Sequence, residues 1–212
     1  MLGSDYYVSQ LSEEENLKIR LFMDYDMMGS PNFAYQVYNA TNAVNPAGSE
    51  ELRDLYVAWY ASQGLNHSFI PFDGRSDYDG FIRNGIPGGG VATGAEGVKT
   101  ADEEERFGGS AGQWYDPCYH QLCDDVGNVN LTAWEVNTKV SAHPFLSFPP
   151  PKASKLVQIL FTNRESHLEP QLIAHSVATY AVSLDSFPKR TLSYSTDAYE
   201  REAKYHGPSP KI

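Results

Sequence analysis

Asp26 closes an apolar run, Ile19 to Met28 (IRLFMDYDMM), that reads as a buried strand ending at the turn Gly29-Ser30-Pro31-Asn32. In open α/β sheets, ligand-binding groups gather beyond the carboxyl ends of strands, and a carboxylate there can hold a divalent cation. The plainer reading of such an aspartate is a turn residue. His120 lies in a loop between Cys118 and Cys123, which makes it a better metal-ligand or acid/base candidate than the other five histidines, although a lone histidine is more often structural. The C-x4-C pair is a weak zinc signal, since a structural zinc takes four ligands; a small-loop disulfide and two buried thiols stay open. Arg75 sits in a Gly-flanked loop between Asp73 and Asp77, where the simple expectation is a guanidinium that is solvated or paired with its neighbours. No H-E-x-x-H, G-x-S-x-G or phosphate-loop spacing joins these residues, and Pro87-Gly88-Gly89-Gly90 lacks the lysine that phosphate cradling needs. Spacing alone gives an acidic α/β domain with a candidate metal site.

The elements that must position these groups follow from periodicity. Phe33 to Tyr38 alternates as a second strand. Ser49 reads as the hydroxyl N-cap of a helix, with Glu50 and Glu51 in its first turn, Leu52, Leu55, Tyr56 and Trp59 on one face, and Gly64 closing it. A loop from Pro71 to Tyr78 leads to a short helix through Phe81 and Ile82. Ile86 to Thr93 carries Gly88-Gly89-Gly90 and predicts a strand that another backbone approaches closely. Ala101 to Phe107 reads as a short acidic helix. Strands alternating with helices predict a layered α/β sheet.

Composition narrows the classes. The 212 residues include 16 basic and 27 acidic side chains, a net charge of −11, with 41% hydrophobic and 13% aromatic residues. That apolar content supports a packed core and excludes a disordered chain. The acidic balance argues against nucleic acid as partner, because phosphate binding needs clustered Lys and Arg. No apolar run has the length of a membrane span or the form of a signal peptide. Three N-x-S/T sequons, at Asn39, Asn66 and Asn130, join the paired cysteines in favouring an oxidising secretory compartment.

Three long strings carry more than any short motif: DYDMMGSPN (24–32), FDGRSDYDGFIRNGIPGGGVATGAEGVKT (72–100) and GGSAGQWYDPCYHQLCDD (108–125). Together they resemble the secreted dizinc aminopeptidases of the aminopeptidase Y type, leucyl-aminopeptidase-like exopeptidases. The likeness is collinear from Met1 to about Lys139 and resumes from Leu172 to about Ser193. It implies a three-layer mixed β-sheet flanked by helices, incomplete at its N-terminal side. It also implies a secreted or vacuolar location, peptide N-termini as substrate and two zinc ions as cofactor. By the same resemblance Asp26 and His120 are zinc ligands, one for each ion, and Tyr119 donates a hydrogen bond to the oxyanion of the tetrahedral intermediate. Arg75 shapes the pocket for the substrate's α-amine, and Cys118 and Cys123 form a disulfide that aims His120.

The family's H-x-D motif, whose Asp bridges both metals, and its Glu-Glu pair, which contains the general base, do not occur in matching context here. Met1-Leu2-Gly3-Ser4 resembles the residues that directly follow that pair, and Glu13-Glu14-Glu15 matches an acidic stretch that opens the next helix. The expectation is therefore a peptidase fragment that is inactive alone, with a noncatalytic binder of peptide N-termini as the alternative. The missing strands should leave an exposed sheet edge.

Residues 140–171 break the pattern. They hold five of the 13 prolines and show no clear period. The helix begun by Leu131, Trp134 and Val136 is expected to break at Pro144. Joining Lys139 directly to Leu172 would give one unbroken amphipathic helix. Val140-Ser141 can be encoded as a splice donor and Gln171 as an acceptor, so the segment reads as a translated retained intron, with an ordinary surface loop as the plainer alternative. The expected organisation is peptidase domain over 1–139, insert over 140–171, final helix over 172–193 and a tail over 194–212.

Overall fold

The structure, a computed structural model, describes residues 1–147. The expected final helix, the tail and most of the 140–171 insert lie outside them. Strand β1 (Phe22–Tyr25) follows helices α1 (Leu2–Ser9) and α2 (Glu13–Lys18). Then come β2 (Gln36–Tyr38), α3 (Ser49–Ser62), β3 (Ser68–Ile70), α4 (Tyr78–Arg83), β4 (Gly88–Ala92), α5 (Ala101–Phe107) and α6 (Leu131–Ser147). The sheet runs β1-β4-β2-β3 and is mixed: β1 and β4 are parallel, β4 and β2 antiparallel, β2 and β3 parallel.

Side-chain alternation along β1 assigns the layers. Leu21, Met23 and Tyr25 join Leu52, Tyr56 and Tyr60 of α3 and Ala133 and Val140 of α6 in one core. Phe22 points the other way, stacking on Phe81 of α4 at 4.1 Å within a second core that includes Val8 of α1. Asp24 shares the parity of Phe22, and its Oδ2 accepts the Tyr78 N–H of α4. The expected three-layer α/β architecture is present.

The glycine run of β4 does what its sequence predicts. A Cβ on Gly90 would sit 1.7 Å from the Asp24 carbonyl oxygen, so this position has no room for a side chain.

Several expectations need correction. The strands are shorter than predicted, because the chain turns out of the sheet before Asp26 and enters β2 only at Gln36. Strand β3 adds an element the sequence reading did not place: none of its three residues is buried, and Phe69 is half exposed. Ser49 is not the N-cap of α3. Gly48 holds that place with φ 112°, while the buried Ser49 hydroxyl accepts the Gly88 N–H at 3.0 Å and ties α3 to β4. Helix α6 continues past Pro144 to Ser147, since proline removes one backbone donor and can kink a helix without ending it. The expected bare edge is absent at β1: although terminal among the described strands, none of its four residues exceeds 1% exposure.

Candidate functional site

Beyond β1 the chain makes an abrupt turn that projects Asp26. Met27 takes φ 56°, a left-handed conformation that costs a non-glycine residue energy and so tends to survive where the surroundings hold it. Those surroundings are identifiable: the Met27 carbonyl accepts from both the backbone N–H, at 2.8 Å, and the hydroxyl of Thr93. Ser30 completes the fastening, its N–H donating to Thr93 Oγ1 at 2.9 Å and its hydroxyl to the Gly94 carbonyl at 2.6 Å. The G-S-P-N turn thus pins Asp26 to the end of β4.

Asp26 itself is half buried, and Ser76 donates to its Oδ2 at 3.0 Å. Burial pushes its carboxyl pKa up and the Ser76 hydrogen bond opposes this. Two residues earlier, Asp24 is fully buried, and its Oδ1 has no hydrogen-bond partner among the described residues. Desolvation, with the nearby Asp26 charge second, raises its pKa from 3.8 to about 7. Two carboxylates on one side of the strand make this corner short of positive charge.

Arg75 adjoins that corner through its neighbour Ser76. Its guanidinium is held between Asp73, at 2.6 Å, and Glu96, so the simple expectation of pairing with a neighbour is met and a second partner is added. Opposite lies the disulfide loop. Cys118 and Cys123 are bonded, which resolves the open cysteine alternatives. Inside the loop His120 is exposed, has φ 58° and stacks on Tyr119 with ring centroids 3.9 Å apart. The Tyr119 phenol pKa is raised, first by burial and then by the Glu96 charge, with Arg75 opposing and Asp26 and Asp73 adding smaller effects. Asp26, Arg75, Glu96 and Tyr119 therefore share one electrostatic neighbourhood.

The loop is fastened at its base. Asp116 is buried, and its Oδ1 accepts from the Cys118 N–H and the Asn128 side chain at 2.9 and 2.8 Å. Tyr115 donates to Glu103 at 2.6 Å, and the same carboxylate closes the Thr100 capping box of α5. Sequence reasoning passed over Ser76, Glu96 and Asp116. All three lie inside the long strings singled out above, but nothing in their spacing reveals what they touch.

Carboxylate and imidazole are suitable donors for zinc, yet two ligands do not make a zinc site. Among the described residues no three His, Cys, Asp or Glu side chains converge to hold a metal ion. The residues in place do not by themselves fit a pair of ions.

With this geometry in view, comparison with known proteins is informative. A model described as Peptidase family M28 matches residues 1–143. Aminopeptidase Y of Saccharomyces cerevisiae is 48% identical over 190 residues, covering 90% of this chain and 28% of that protein. A probable leucine aminopeptidase 2 of Aspergillus oryzae is 38% identical over 215 residues, covering 100% and 36%. Among solved structures, an aminopeptidase from Aneurinibacillus sp. strain AM-1 overlaps 67% of this chain and 30% of its own, with a TM-score of 0.44 and 22% identity. The chain belongs to peptidase family M28. It spans only 28% and 36% of the length of the two curated relatives named.

Proposed function

We propose that this chain carries the carboxy-terminal share of a zinc aminopeptidase site that releases N-terminal residues from peptides. The reading is supported by one observation above the rest: the Asp26 turn, the Arg75 loop and the Tyr119-His120 loop, distant in sequence, meet in one electrostatic neighbourhood. Asp26 and His120 would each offer one donor to an ion. Such ions, when bound, polarise a scissile carbonyl and acidify water. Arg75, fixed by Asp73 and Glu96, would bound the pocket for the free α-amine. Tyr119, a phenol whose pKa burial raises further above neutral, would donate to the oxyanion.

In this reading the bridging carboxylate and the base come from an H-x-D motif and a Glu-Glu pair that do not occur in matching context in this sequence. Two dications about 3.5–4 Å apart repel unless anions bridge them. The 212-residue chain is accordingly inactive alone. The test is hydrolysis of a leucyl-anilide by the purified chain, alone and refolded with a polypeptide supplying those motifs. The expected result is activity only in the mixture. Zinc-dependent release by the chain alone would refute the division of the site, and an inert mixture with both parts folded would favour a noncatalytic binder of peptide N-termini.

A secretory or vacuolar destination belongs to the same proposal, and it is supported by the disulfide and the sequons. Asn39 and Asn66 are exposed. Asn130 instead caps α6, its Oδ1 accepting the Ala133 N–H at 3.1 Å and its Nδ2 donating to the Pro31 carbonyl at 3.3 Å. Peptide mass spectrometry of chain expressed through a secretory host should find glycan at Asn39 and Asn66 and none at Asn130.

A further inference from the structure

Lys99 is 1% exposed, and no carboxylate lies among its hydrogen-bond acceptors. Its ammonium donates to the Phe33 carbonyl at 2.6 Å, the Gly108 carbonyl at 2.5 Å and Asn32 Oδ1 at 3.4 Å. Three donors meet three neutral oxygens, and the charges of Glu103 and Glu104 favour the cation from outside that hydrogen-bond shell. It also lies 5.6 Å from the centre of the Phe33 ring.

Asn32 is the other half of the arrangement. Its amide donates to the Ser110 and Trp114 carbonyls at 3.0 and 3.1 Å, its Oδ1 accepts the Ser110 N–H at 2.9 Å, and its backbone N–H donates to the Tyr115 carbonyl at 2.9 Å. Asn32 thus joins the turn that carries Asp26 to the stretch entering the Tyr119-His120 loop. The joint is tight: a Cβ on Gly109, at φ 83°, would fall 2.2 Å from Asn32 Oδ1 and 2.9 Å from Lys99 Nζ. Among the described residues neither hydrogen-bonds to Asp26, Arg75, Tyr119 or His120, so no chemical role in the site explains a buried cation at this point.

We infer that Asn32 and Lys99 form a clasp that sets the separation between the Asp26 turn and the Tyr119-His120 loop, making both positioning residues for the site. That they position a peptidase site rests on the reading above; the clasp itself can be tested without metal or substrate. The experiment measures amide hydrogen exchange, segment by segment, in the full chain and in Lys99→Met, Asn32→Asp and Asn32→Ala. Leu52→Ala serves as a control that loosens the core elsewhere. Hydrogen bonds to a charged group support opening ratios of about tenfold or more. The expected result is at least about tenfold faster exchange over residues 108–123 in Lys99→Met and Asn32→Ala. Protection in residues 22–25 and 88–92 should stay unchanged.

Asn32→Asp keeps the acceptor and loses the amide donors, so it should fall between. The ring-proton shifts of His120, set by its stack on Tyr119, should move towards free histidine in the same order. A global stabiliser would instead raise exchange in loop and sheet together, as the Leu52→Ala control does, and that outcome overturns the clasp. Unchanged loop protection does so too. If Lys99→Met does not fold, the same criteria apply to Asn32→Asp. Failure of the leucyl-anilide mixture would leave this exchange pattern standing, and loss of the pattern would leave the mixture experiment standing.

Discussion

Asp24 has an apolar address and an acidic side chain, and that conflict has a measurable sign. Its native pKa is raised from 3.8 to about 7, first by desolvation. The folded chain therefore binds a proton that the unfolded chain has released, and stability falls as pH rises from about 4 to about 7. Below that window the two states are protonated alike, and above it the full penalty stands. Asp24→Asn should be near neutral at pH 4 and stabilising by on the order of a few kcal/mol at pH 8 in chelator-treated chain, as read from urea unfolding. A substitution equal in effect at both pH values would contradict the assignment. Gly90 carries the opposite constraint. A methyl group 1.7 Å from the Asp24 carbonyl must push β1 and β4 apart, so Gly90→Ala should cost several kcal/mol or prevent folding in the same assay.

At the scale of elements, α6 is joined to the site turn by one buried amide. Asn137, 0% exposed, accepts from the Tyr60 hydroxyl at 2.6 Å and donates to the Met28 carbonyl at 2.9 Å. Asn137→Ala strands two buried polar groups, each costing about 1–3 kcal/mol, so a loss of about 2–4 kcal/mol is expected in thermal or urea melts. The two capping boxes give a graded comparison. Ser12→Ala at the exposed start of α2 should cost about 1 kcal/mol. Thr100→Ala should cost more, because Glu103 also receives the Tyr115 hydroxyl. Equal losses would show that the Tyr115 bond adds nothing to the α5 cap.

For the whole molecule, the decisive quantity is the number of ligands assembled. Ligand binding stabilises a protein by an amount that grows with the logarithm of one plus the ratio of ligand concentration to dissociation constant. A chain with one donor for each ion should gain little, so adding zinc or a chelator should shift the melting midpoint of the 212-residue chain by less than about 1 °C. A rise of many degrees with zinc would mean that a full site forms without further chain. The course of α6 bears on the insert. Val140 is 0% exposed, and the Ser141 carbonyl accepts the Tyr25 hydroxyl at 3.2 Å. Joining Lys139 to Leu172 would put a leucine where Val140 packs, so the shorter chain keeps this apolar contact. If residues 140–171 are a retained intron, transcript sequencing should recover messages in which the Lys139 and Leu172 codons are joined; full-abundance retention alone would reject the intron reading.

Local chemistry made much of this legible in advance. The α5 helix was readable to the residue because its Thr100 box and acidic first turn are contiguous. The close approach at Gly88-Gly89-Gly90 was readable because only glycine tolerates it. Asp26 could be placed beyond a strand because the apolar run stops at a Gly-Ser-Pro turn. Helix α3 was found but its cap was misplaced by one residue, since Ser49 spends its hydroxyl on Gly88, a partner 39 positions away.

The same distance limit separates what the sequence determined from what folding decided. Residue type and short spacing fixed which groups were capable of chemistry. Only the tertiary structure decided that Ser76 would face Asp26, that Glu96 would share Arg75, and that Asn32 and Lys99 would join two loops. The Ser76–Asp26, Glu96–Arg75, Asn32–Lys99 and Asn32–Trp114 contacts pair residues 50, 21, 67 and 82 positions apart. No periodicity in a linear chain encodes such a pairing until the sheet brings its ends together.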